Sequence, residues 1–131
     1  MREGQGLAET LEHYLSEWSR QTGIVVETWA LPKGEVPPAI AEALLTVLEE
    51  ALLNVERHSG ARTVAVAITW SASGLRMTVS DNGRGTASAE PGHGLARMRA
   101  RFLQLGGDLS VNGVPGEGTT VSGVVPRTRG A

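Results

Sequence analysis

The chain has no cysteine, which excludes disulfide staples and thiolate metal centres; a reducing compartment is permitted by that absence, not proved by it. It has little net charge, −2 at neutral pH with a pI near 5.9. That argues against a nucleic-acid surface held by bulk charge. No apolar run approaches the roughly 18 to 20 residues of a membrane span, and the opening residues do not read as a signal peptide. Aromatics are scarce, one Phe, one Tyr and three Trp. What is plentiful is glycine: 17 in 131 residues suggest loops that need open backbone. A hydrophobic content of 40% at this length fits one domain with one core.

The periodicity gives a coarse architecture. Leu7, Leu11, Tyr14, Leu15 and Trp18 recur at helical spacing, and Gly23 supplies the stop, so residues 7–22 are expected to form an amphipathic helix. Ile24 to Trp29 is short and β-branched, hence a strand. Leu31 to Pro38 holds three prolines and a glycine and must be a connection. Pro37 or Pro38 suits the first turn of the next helix, where a missing N–H costs nothing.

That helix, expected to run on to Ser59 and Gly60, carries the most informative stretch, Leu48 to His58. Ile40, Leu44, Val47, Leu48, Ala51, Leu52 and Val55 form its core stripe. Glu42, Glu49 and Glu56 lie opposite and read as solvated. Glu50, Asn54 and His58 recur at i, i+4, i+8, along one ridge at the margin of the stripe. A carboxylate, an amide oxygen and an imidazole in such a line can hold a hydrated divalent cation and the phosphates attached to it. A helix whose polar residues simply happen to align is the plainer reading of the same spacing.

Thr63 to Trp70 alternates, as do Leu75, Met77 and Val79 after the turn Ser71 to Gly74; together they predict a β-hairpin covered on one face. The second strand runs into Asp81-Asn82-Gly83-Arg84-Gly85. An acid at a strand end followed by a glycine loop lets backbone approach a flat ligand while the carboxylate accepts from its edge; an Asp-Asn-Gly turn is the bland alternative. Residues 86–93 carry no periodicity and read as a mobile lid. Gly92-His93-Gly94 then opens a helix containing Leu95, Met98, Phe102 and Leu105, whose free N–H groups make an anion site. Arg97, Arg99 and Arg101 add positive charge along it, most simply solvated. Gly106-Gly107 caps that helix. Leu109 to Val111 and Thr119 to Val125 are the last strands, joined through Pro115-Gly116-Glu117-Gly118. The expected boundaries are a disordered start at 1–6, one domain at 7–126 and a frayed tail at 127–131.

EALLN followed by RH, then DNGRG, GHGL and GEGTT, in that order, resembles the ATP-binding catalytic domain of a two-component sensor histidine kinase. The likeness is closest to the branch of the nitrate/nitrite and membrane-fluidity sensors and covers nearly all of residues 7–126. It implies a GHKL-type Bergerat fold: an α/β (α+β) two-layer sandwich with a mixed sheet, about three helices on one face, and ATP under a lid on the helical side.

Residue by residue, the resemblance implies that Asn54 coordinates Mg²⁺, an oxygen-rich and partly hydrated site as that ion prefers. Glu50 would orient water or the incoming nucleophile, reaching the metal through water. Arg57 and His58 would contact phosphate oxygens. Asp81 would accept from the adenine amino group, with Gly83 and Gly85 giving the ring room. Gly92, His93, Gly94 and Leu95 match the second glycine box, whose helix start faces the phosphates, and Thr119 would support the adenine end. Ala100 departs from the family pattern, which often has glutamate there.

The γ-phosphoryl group would pass to a histidine on a separate helical-hairpin dimerisation domain, and from there to a response regulator. No such hairpin is seen here, and His13 reads as a surface residue. The isolated chain is therefore expected to be monomeric and cytoplasmic, with membrane anchoring left to the full-length protein. An anti-sigma-factor-like serine kinase or hydrolytic ATPase on the same scaffold, and a non-catalytic nucleotide-sensing module, are the alternative readings.

Overall fold

Helix α1 spans Leu7–Thr22 in the computed structural model, which describes residues 6–83 and 94–127. The expected lid at 86–93 and the outermost terminal residues lie outside that description. Gly23 ends α1 in the left-handed region at φ 79°, its N–H donating to the Ser19 carbonyl at 2.9 Å. Leu7, Leu11, Leu15 and Trp18 are buried along the predicted stripe, and Tyr14 packs against the core half-buried.

Strand β1, Val25–Ala30, starts and ends one residue later than its composition suggested. It pairs in parallel with β2, Thr63–Ser71. Parallel neighbours need a crossover, and helix α2, Pro38–Asn54, supplies it. Pro38 sits in the first turn, where its fixed φ suits the helix. Leu44, Val47, Leu48 and Leu52 are fully buried, and each such side chain contributes roughly 1.5–3 kcal/mol relative to an exposed one.

The helical segment ends at Ser59 and Gly60 as expected, but its last turn is not α-helical. After Asn54 the backbone widens into a π-helical turn, Val55–Ser59, closed by Gly60 at φ 68°. Glu50 and Asn54 lie on the α-helical part, one turn apart along the predicted ridge, and residue 58 falls in the π-turn, whose i→i+5 bonding differs from that of the α-helix. The side chain of His58 lies outside the described part.

β2 forms the expected antiparallel hairpin with β3, Gly74–Asp81. The sheet is completed by β4, Asp108–Val114, and β5, Gly118–Pro126, in the order β1-β2-β3-β5-β4. Both final strands exceed their predicted lengths. The pairs Asn112↔Thr120 and Gly113↔Thr119 belong to the ladder, because register overrides the poor strand propensity of Asn and Gly.

Helix α3, Leu95–Leu103, is shorter than expected, and Leu105 packs against the core from its terminal turn. There Gly106 N–H donates to Leu103 O and Gly107 N–H to Phe102 O, the paired bonds of a Schellman stop. The apolar interior of the described residues forms one cluster, with Val64, Val66, Ile68, Met77, Val79 and Val121 pointing from the sheet toward the helices. Phe102 lies directly over Gly123, where a Cβ would overlap its ring. The opposite sheet face carries the alternate positions, Thr63, Ala65, Ala67, Thr78, Ser80 and Ser122, all only half-buried.

Candidate functional site

Those predicted residues that the structure describes fall in two groups, one at the end of β3 and one between α2 and α3. The first surrounds Asp81, the last residue of β3. This residue is 8% exposed and is the one buried ionisable group among the described residues. A buried carboxylate needs donors, and here they are backbone: Gly83 N–H at 2.8 Å and the N–H of Thr119. Burial raises its pKa above the ordinary aspartate value, and the two N–H groups partly oppose that rise. A carboxylate has about four acceptor positions, so two backbone donors leave it capacity for a ligand's amino group.

Thr119 reaches this position because it pairs with Asp81 across β3 and β5. Gly118, beside it, lies against the Asp81 carbonyl so closely that a Cβ would overlap that oxygen. Glycine is required there by contact and by its φ of 113°.

Asn82 is a residue whose part the sequence did not disclose. Its Oδ1 accepts from the N–H groups of Arg62 and Thr63, both at 3.1 Å, and its own N–H donates to Thr63 O at 3.3 Å. It thereby ties the acid-bearing strand end to the segment that leaves the π-turn. The Asp-Asn pair looked like turn chemistry, and nothing in its spacing pointed to a partner twenty residues upstream.

The second group joins α2 to α3. Glu50 and Asn54 are half-buried one turn apart, while Glu49 and Arg57 are exposed. The Glu50 carboxylate lies at Gly94, the residue that opens α3 at φ 81°; a Cβ on Gly94 would overlap it. Arg97 Nη2 donates to Glu50 Oε2 at 3.3 Å. The arginines of α3 are exposed, as expected, but two of them also make ion pairs: Arg97 with Glu50, and Arg99 with Asp108 at 2.8 Å. Leu95 follows Gly94, half-buried against the core. Gly85, Gly92 and His93 lie outside the described residues.

Among the described residues no cluster of three or more His, Asp or Glu is arranged to hold a metal ion. Mg²⁺ ordinarily takes one or two protein oxygens and completes its shell with phosphates and water. The side-chain oxygens of Glu50 and Asn54, stacked at i and i+4, are of the right kind.

A mixed sheet with helices on one face, a buried acid at a strand end, and glycines pressed against both the acid and a helix start define the Bergerat type of ATP-binding sandwich. The chain belongs to the histidine kinase-, DNA gyrase B-, and HSP90-like ATPase family, whose model matches residues 39–129. Within it, the chain is similar to the sensor histidine kinase LiaS of Bacillus subtilis, 35% identical over 127 residues, 95% of this chain and 35% of LiaS. It is also 35% identical to the nitrate/nitrite sensor protein NarX of Escherichia coli K12, over 120 residues, 88% of this chain and 20% of NarX. In structure it resembles the histidine kinase domain of the blue-light activated histidine kinase EL346 of Erythrobacter litoralis. That match has a TM-score of 0.76 at 25% identity and covers 92% of this chain and 65% of that one. The chain thus spans about a third or less of the length of the curated relatives it matches. No helix among the described residues is long and apolar enough to cross a membrane.

Proposed function

We propose that residues 7–126 are the catalytic ATP-binding domain of a sensor histidine kinase, which positions Mg·ATP for transfer of the γ-phosphoryl group to a histidine on a separate helical-hairpin domain. The observation that carries this reading is Asp81, a buried carboxylate held by backbone donors at the end of β3. In this reading Asp81 accepts from the adenine amino group, Gly83 and Gly85 give the ring room, and Thr119 supports the same end.

The phosphate end is formed by α2 and the start of α3. Asn54 would supply an oxygen to Mg²⁺, with Glu50 acting through water. Arg57 and His58 contact phosphate oxygens, and Gly92, His93, Gly94 and Leu95 present the helix start to the phosphates. Mg²⁺, when bound, neutralises phosphate charge. In the transfer, an imidazole nitrogen of the acceptor bonds to the γ-phosphorus as the bond to the ADP oxygen breaks. Positioning and charge neutralisation supply most of the rate in such reactions. The kinase reading brings with it a cytoplasmic location, a monomeric isolated domain and a response regulator that receives the phosphoryl group.

Titration calorimetry with Mg·ADP and a non-hydrolysable ATP analogue tests the site. The parent is expected to bind both, Asn54→Ala to lose Mg²⁺ dependence, and Asp81→Asn to lose adenine selectivity. Supplying a helical-hairpin acceptor with ATP should then yield acid-labile phosphohistidine. Phosphate on serine or water instead would move the assignment to another enzyme of the same scaffold. A folded parent that binds no nucleotide at millimolar concentration would overturn it altogether.

A further inference from the structure

Glu50 belongs to the phosphate end proposed above, and the structure shows what its carboxylate touches. Its carboxylate is wedged between Gly94 and the guanidinium of Arg97, reached across 47 positions of sequence. The Glu50 side chain is 22% exposed, whereas that of Arg97 is 77% exposed. Arg97 therefore has no packing role that would explain its course back toward α2; the ion pair is what directs it there. The pair also addresses a charge problem. A carboxylate at the start of α3 competes for the same positive helix end that phosphates would use, and it repels them.

We infer that Arg97 is a positioning residue, holding the Glu50 carboxylate against the start of α3 and offsetting its charge so that phosphate groups can be accepted beside it. The inference rests on the nucleotide site proposed above, and it makes a distinction that site alone does not. A residue that contacts phosphate directly matters whether or not Glu50 is charged. A residue that acts through Glu50 matters only while Glu50 carries its charge.

The test uses the full 131-residue chain as parent, Arg97→Ala, Arg97→Lys, Glu50→Gln and the double variant Glu50→Gln/Arg97→Ala. Affinity for the Mg-bound, non-hydrolysable ATP analogue and for adenosine is measured by calorimetry, and the Gly94 backbone amide resonance is recorded without nucleotide. Arg97→Ala should weaken the analogue about fivefold, the upper range for one partly exposed ion pair, and leave adenosine unchanged. Arg97→Lys should largely restore affinity, and Arg97→Ala should have almost no effect in the Glu50→Gln background. The Gly94 amide should shift in both Arg97→Ala and Glu50→Gln.

Equal losses in both backgrounds would overturn the inference in favour of direct phosphate contact. No loss in either, or an unmoved Gly94 amide, would overturn it outright. If the parent binds no nucleotide while Gly94 still responds to both substitutions, the proposed function has failed; the tether then stands and the charge-offset part is overturned.

Discussion

The carbonyl oxygen of Asp81 and the Cα of Gly118 are in such close contact that no side chain fits between the end of β3 and the start of β5. Gly118→Ala should therefore destabilise the domain by roughly 2–4 kcal/mol, combining overlap with backbone and strain at positive φ. Gly116 is the matched control: its φ is 81° and nothing lies within 4 Å of a Cβ there. Gly116→Ala should cost only the left-handed strain, about 1–2 kcal/mol. Urea denaturation of both variants checks the difference, and equal losses would contradict the close contact.

Asp81 should give stability a recognisable pH dependence. Its native pKa is raised by burial above the ordinary 3.8, so the folded state holds that proton more readily than the unfolded chain. The resulting stability is fully present below the ordinary value and is lost as pH rises through the raised native value. Asp81→Asn should abolish that slope and raise Tm at neutral pH by about 2–4 °C, because a buried charge is removed. The same variant should weaken adenine nucleotides about tenfold or more, since a buried hydrogen-bond acceptor is altered. In the parent, affinity should fall as pH drops through the native pKa. Thermal scans and nucleotide titrations over an acidic pH series decide both halves.

Gly94→Ala should displace the Glu50 carboxylate, because the new Cβ would occupy its place. We expect a stability loss of about 2–3 kcal/mol together with weaker binding of the ATP analogue. Gly23→Ala, at a similar φ of 79° with open space around it, isolates the backbone strain. Combining Gly94→Ala with Glu50→Ala should bring its cost down to that of Gly23→Ala. A double variant no better than the sum of the singles would show that the two residues are not in contact.

Phe102→Ala should be the most damaging substitution in α3. The ring is fully buried and lies on Gly123, so its removal leaves a cavity between helix and sheet. A loss of about 3–5 kcal/mol is expected. Leu103, half-exposed one residue on, should tolerate the same change within about 0.5 kcal/mol apart from propensity.

Local periodicity in the sequence was sufficient for most of the architecture. Helix α1, the start of α2 and the β2–β3 hairpin follow from apolar spacing and glycine or proline punctuation, because those signals act within a few residues. Glu50, Asn54, Asp81 and the glycines could be singled out for the same reason, and the order of their motifs carried the family. What only tertiary structure decided are relations between segments distant in the chain. The π-turn after Asn54, the extended β4–β5 ladder, the stapling of residues 62 and 63 by Asn82, and the reach of Arg97 to Glu50 leave no local period. Each depends on packing or on pairing of polar groups across the fold, and burial and hydrogen-bond satisfaction are properties of the assembled layers.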